Sequence, residues 1–207
     1  MHPFLQPLSR TFVPTGDLQQ DVTAFLSANG CPNTARHSIA VGEQARKLAL
    51  QFGFDPDQAA AAGYLHDISA VFPNAERIEA AEALQIDLLD EELIFPMIIH
   101  QKLSKPMARD LFNIHDAKVL QAVECHTTLR AHSSKLDRIL FVADKIAWDQ
   151  EGTPPYIDDL MSGLEQSLEH AALAYLKFLW DRKEQLKVLH PWAEAGYKEL
   201  ASCCASQ

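Results

Sequence analysis

Between positions 41 and 52 the apolar side chains fall at Val41, Ala45, Leu48, Ala49 and Phe52, the spacing of one face of an α-helix. His37 lies four residues before Val41, on the same stripe. The pattern recurs. Val119, Leu120 and Val123 lead to His126, and Leu136, Ile139, Leu140, Ala143, Ile146 and Ala147 form a stripe with Asp144 on its border. A chain that repeats this period folds as packed helices, and this one turns imidazole and carboxylate groups inward with the apolar ones. Val, Ile and Thr are sparse beside Ala and Leu, which also favours helices over strands. The predicted fold class is all-α.

Local signals divide the chain. Pro3, Pro7 and Pro14 mark an irregular lead-in, and a first helix is predicted after Asp17, stopping at Gly30-Cys31-Pro32. Asn33 or Thr34 is predicted to cap a second helix that reaches about Gly53. Asp55-Pro56 opens a third, whose small residues Ala59 to Gly63 allow close helix approach before Tyr64-Leu65-His66-Asp67. Helical pieces are expected from Ala75 to Leu84, and a segment from Ile94 to Phe112 reads as interrupted by Pro96 and Pro106. Asp116 and Ser133-Ser134 open two further helices. After Pro155 one long helix, straight or bent, is predicted from Tyr156 to about Lys187, and the closing ASCCASQ is expected to be loose.

With 207 residues the chain suits one core better than two. The expected organisation is a lead-in and helix over 1–29, a core over 30–150, and a helical extension over 151–207 packed on the same domain. The formal net charge of -10 argues against a nucleic-acid partner. A small phosphate ester is compatible with it, because a bound cation and a few local donors reverse the field locally. Cys31, Cys125, Cys203 and Cys204 make no CxxC pair, which fits a reducing, cytoplasmic setting. The start, MHPFLQPLSRTF, lacks the pattern of a signal peptide, and no apolar run is long enough to span a membrane.

A single histidine on an apolar face is most often a satisfied core group. Several imidazoles and two carboxylates facing inward from different helices of one small domain are another matter. Such convergence makes a metal site, and bundle cores are where such sites are built.

The ordered set RHS at 36–38, LHD at 65–67 and ADK at 143–145, with AGYLHDIS and LFVADKI around it, resembles the HD superfamily of metal-dependent phosphohydrolases. The resemblance implies an HD-type helical bundle in which His37, His66, Asp67 and Asp144 hold a divalent metal. Iron is the first expectation, with Mn, Co or Mg as alternatives, as one ion or two. IIH at 98–100, FNIHDAKVLQAVECHT at 112–127 and KLDRILFVADKI at 135–146 are similar to the YqeK-type subgroup of symmetrical diadenosine tetraphosphate hydrolases. That similarity covers about residues 30–150. It implies that His100 and His126 face the phosphates or hold a second metal. It also implies that Thr34, Thr127 and the turn Asp67-Ile68-Ser69-Ala70 line a nucleotide pocket. Asp67, His100 and His126 would act in catalysis. Two places depart from the subgroup. Thr128-Leu129-Arg130-Ala131-His132 replaces a Gly-rich stretch, and Gln150 stands where an Arg is usual, which removes a bidentate phosphate contact.

Lys145 reads equally as a phosphate contact or as a salt bridge to a ligating carboxylate. His2, His115, His170 and His190 read as surface groups, and His132 as a loop residue. Asp87, Asp90, Glu91 and Glu92 read as a solvated helix start. Cys125 beside His126 lacks a third orienting group, and adjacent helical residues diverge by about 100°. Leu160, Leu164, Leu168, Tyr175 and Leu179 read as core or as the seam of a homodimer. The reading that follows is hydrolysis of a nucleoside polyphosphate, foremost symmetrical cleavage of diadenosine tetraphosphate. Its alternatives are a nucleotide phosphomonoesterase or other phosphoester hydrolase, and a silent metal- and nucleotide-binding protein.

Overall fold

The computed structural model describes residues 1–205, and every regular element among them is helical. The helices are α1 (Leu18–Ala28), α2 (Pro32–Gln51), α3 (Pro56–Leu65), α4 (Arg77–Ala83), α5 (Asp90–Ile94) and α6 (His100–Leu111). They continue with α7 (Ala117–Cys125), α8 (Lys135–Ile146), α9 (Ile157–Gln166), α10 (Leu168–Trp180) and α11 (Pro191–Cys204). The predicted caps do their work. Asp17, Asp55, Asp116 and Ser134 each accept a backbone N–H from the first turn that follows.

Four expectations need correction. Helix α2 begins at Pro32 behind Cys31, so neither Asn33 nor Thr34 caps it. Proline at the first position brings a helical φ and needs no hydrogen-bond acceptor there. Pro106 does not interrupt α6, whose buried face of Leu103, Met107, Ala108 and Leu111 carries it through the one missing bond. The long helix after Pro155 is two helices. Ser167 is fully extended (φ -166°, ψ 170°) and caps α10, and a Cβ on Gly163 would stand 2.7 Å from the carbonyl oxygen of His170. Finally, α11 orders the end as far as Cys204; Ser206 and Gln207 lie outside the described residues.

One buried apolar cluster runs from Leu5 through Val41, Leu65, Val123 and Leu140 to Leu200. Helix α2 packs on α3 and α8, and α7 packs on α6, α8 and α3. Leu160, Leu164 and Leu168 of the C-terminal stripe are buried inside the chain, in that same cluster. A smaller cluster of Ala80, Ala81, Ile99 and Leu103 supports the start of α6. No helix among the described residues is long and apolar enough to cross a membrane.

Two groups read as surface ones are interior. Glu92 is fully buried and accepts from Lys102 Nζ at 2.7 Å. His190, also buried, caps α11 and stands 3.3 Å from the other Glu92 oxygen. A carboxylate enters a core when partners come with it; Lys102 lies ten residues from Glu92 in sequence and His190 lies 98 residues away. His132, by contrast, is exposed and pairs with Glu199.

Candidate metal centre

Three histidines stand at helix ends. His66 closes α3, His126 closes α7, and His100 begins α6 behind a short 3-10 turn over Pro96–Ile99. Each folds its ring back on the carbonyl three residues earlier. His66 Nδ1 donates to Gly63 O (2.7 Å), His100 Nδ1 to Met97 O (2.5 Å) and His126 Nδ1 to Val123 O (2.9 Å). The last carbonyls of a helix lack intrahelical donors, so the rings satisfy them. A carbonyl only accepts, so the proton is on Nδ1 and the Nε2 lone pair points away from the helix. This is the arrangement that orients a metal-binding histidine.

Those lone pairs converge. His66 Nε2 lies 3.4 Å from Asp67 Oδ2 and 3.6 Å from Asp144 Oδ1, and His37 Nε2 reaches Asp144 Oδ1 at 3.1 Å. On the other side of Asp67, its Oδ1 lies 3.3 Å from His100 Nε2 and 3.4 Å from His126 Nε2. Those two Nε2 atoms are 3.1 Å apart. His37, His66 and Asp67 form one group of donors that could hold a cation, Asp67, His100 and His126 a second, and Asp67 belongs to both. His66 Nε2 and Asp67 Oδ1 are buried without a hydrogen-bond partner. Buried acceptors facing one another with no proton between them are costly unless a cation joins them. The imidazole and carboxylate set therefore fits a divalent first-row metal.

The electrostatics agree. Burial pushes His66 and His100 down to about 4, against the pull of Asp67, so both are neutral near pH 7. Burial pushes the Asp67 and Asp144 carboxyls up, but the neighbouring His66 and His100 for Asp67, and Lys145 and His37 for Asp144, hold both well below the usual range. Lys145 Nζ bonds Asp144 Oδ2 at 2.5 Å, so the salt-bridge reading describes its geometry, yet Lys145 also lines the cleft.

The donor groups floor a cleft of about 270 Å³ whose walls include Met97, Thr127, Trp148, Tyr156 and Tyr175. The Thr127 hydroxyl donates to His100 Nε2 at 2.9 Å. Asp149 and Gln150 stand at the rim, with Asp149 Oδ2 3.9 Å from His37 Nδ1. Thus His37, Asp67, His100, His126, Thr127, Asp144 and Lys145 come together, with His66 beneath them. Thr34, Ile68, Ser69 and Ala70 are not brought to the cleft wall. Ile68 is core, and Ser69 is a buried support that donates to His100 O and takes a bond from Ser104. Sequence reasoning missed Met97, Trp148, Tyr156 and Tyr175. Trp148 lay four residues beyond Asp144 and so was within reach of the motif, whereas nothing local marked the tyrosines.

An all-helical fold carrying two groups of His and Asp side chains at the floor of a cleft defines the class of helical proteins with a candidate metal centre in the bundle. Residues 34–149 match the family model described as "HD domain", and the chain belongs to that family and is a hydrolase. It is 48% identical, over 69% of its length and 72% of the relative's, to an uncharacterized protein in the pepC 5' region of Lactococcus lactis subsp. cremoris. It is 27% identical to the symmetrical bis(5'-nucleosyl)-tetraphosphatase of Bacillus subtilis (strain 168), over 68% and 74%. A predicted HD superfamily hydrolase involved in NAD metabolism from Clostridium acetobutylicum has a similar crystal structure. The TM-score is 0.78 at 27% identity, covering 89% of this chain and 97% of that one.

Proposed function

We propose that this hydrolase acts on nucleoside polyphosphates and cleaves diadenosine tetraphosphate symmetrically into two molecules of ADP. The observation that carries the reading is the shape of the cleft around the donor groups. A separate hollow lined by Arg36 and Ala40 adjoins it and shares His37, Trp148 and Asp149 with it. An apolar lobe adjoins it as well, separated from it by Met97, Thr127 and Tyr175, which line both. A reacting centre with room on both sides suits a substrate carrying a nucleoside at each end. The tetraphosphatase names of relatives in Bacillus and Staphylococcus agree with it.

His37, His66, Asp67 and Asp144 would hold one divalent ion, and Asp67, His100 and His126 a second. The bound metal would supply Lewis acidity and a water acidified toward neutral pH. The chain's own groups do the rest. The Nδ1 protons of His100 and His126 are committed to carbonyls, so it is Nε2 of each ring that faces the cleft as a candidate metal ligand. This favours them as ligands over phosphate donors. Asp67 Oδ1 can take a hydrogen bond from the attacking water and aim it. Thr127 and Lys145, facing the same space, can donate to phosphoryl oxygens. Attack at one middle phosphorus breaks its bond to the central bridging oxygen, which leaves with the other ADP.

The test is incubation of the pure protein with diadenosine tetraphosphate and Mn²⁺, Fe²⁺, Co²⁺ or Mg²⁺, with products separated by chromatography. ADP as sole nucleotide product is expected. ATP plus AMP would overturn the symmetrical step. No turnover of this substrate, with turnover of mononucleotides, would point to a phosphomonoesterase.

A further inference from the structure

The apolar lobe lies beyond the HD motif residues and is built largely by the C-terminal extension. It measures about 150 Å³. It shares Met97, Thr127 and Tyr175 with the cleft over the donor groups, so those three side chains stand between the two spaces. Its far wall is Leu179 of α10, Val188 and Leu189 of the following loop, and Ala193 of α11. The polar groups on its margin are occupied elsewhere. Thr128 Oγ1 bonds Gln101, and His190 is held by Glu92 and by the N–H of Trp192.

We infer that this lobe is the seat of one nucleobase of the substrate, and that residues 175–193 of the extension set the enzyme's preference for nucleosidic over simple polyphosphates. The inference rests on the nucleotide reading above. Three features support it. An apolar lining repels phosphate and free sugar but accepts a flat aromatic group. The lobe's size suits one such group rather than a whole nucleotide. Tyr175 at the junction packs against three other rings: Tyr156 at 4.7 Å, Phe141 at 5.5 Å and Phe178 at 6.2 Å between centroids. A braced aromatic wall loses little conformational freedom when a base packs on it. Lys145 Nζ lies 5.2 Å from the Tyr175 ring centre, on the side where the phosphates would begin.

The experiment compares the full-length, Mn²⁺-loaded protein with V188W and L179W, each of which fills the lobe. Calorimetry measures binding of ADP and of inorganic triphosphate. Both variants should weaken ADP binding by about tenfold or more and leave triphosphate within about twofold. Equal loss of both ligands, or loss of neither, would overturn the inference. A second measurement needs no variant. Photolabelling of the unaltered protein with 8-azido-ADP should mark the peptide around residues 175–193, and label confined to residues 33–40 would overturn the proposal. If lobe labelling is found but diadenosine tetraphosphate is not turned over, the lobe stands and the tetraphosphatase reading falls.

Discussion

Gly42 and Gly63 cross backbone to backbone: a Cβ added to Gly63 would sit 2.5 Å from Gly42 Cα. The same Gly63 offers the carbonyl that fixes the His66 ring. One residue thus takes part in both the α2–α3 approach and the orientation of a metal-donor ring. Gly63→Ala meets main chain, which cannot swing aside. It should destabilise the protein by about 1–3 kcal/mol in urea titrations and also lower its metal content by elemental analysis. Gly42→Ala meets chiefly the Tyr64 ring and should cost less if that ring can rotate.

Asp67 is common to both donor groups, whereas His126 belongs to one. Asp67→Ala should therefore strip the protein of bound Mn²⁺, and His126→Ala should remove only part of it. Elemental analysis after dialysis distinguishes the two. Equal metal loss in both variants would contradict separate sites sharing one carboxylate.

Lys145 holds Asp144 from the side away from His37. Replacement by Met keeps an apolar side chain of similar length and removes the charge that lies over the Phe141 and Tyr175 rings. Activity or metal affinity should fall by about 10–100-fold, the range for a group that orients a ligand. A fall in kcat with metal content intact would identify a phosphate contact, while weakened metal binding would identify a support of Asp144.

The buried Glu92 gives a pH signature away from the metal centre. Burial raises its carboxyl, but the bonds from His190 and Lys102 outweigh that and hold it below the usual range. Its contribution to stability is thus complete above the ordinary carboxylate range and is lost as pH falls through the lower folded value. Urea midpoints taken from pH 7 to pH 3 should show the gap between wild type and Glu92→Gln narrowing on the acid side. Glu92→Ala, which leaves Lys102 buried without its counter-ion, should cost about 3–5 kcal/mol at pH 7.

What the sequence determined by itself was local or repetitive. Asp17, Asp55, Asp116 and Ser134 start helices because a cap and its N–H partners lie within three residues. His37, His126 and Asp144 were legible because polar groups on apolar stripes stand out against the period, and His66-Asp67 because it ends a run of small residues; His100 was reached only through the family resemblance. Only the tertiary structure decided how those groups are shared. That Asp67 stands between His37 and His66 on one side and His100 and His126 on the other depends on four helices meeting, and the rings of His66, His100 and His126 point inward because of carbonyls at helix ends. It also decided what is buried. Glu92 was read as solvated because one of the side chains that meet it in the core, His190, lies 98 residues away. Tyr156 and Tyr175 were invisible as cleft walls for the same reason. A side chain's surroundings are set by helix packing, and packing joins residues that no local pattern connects.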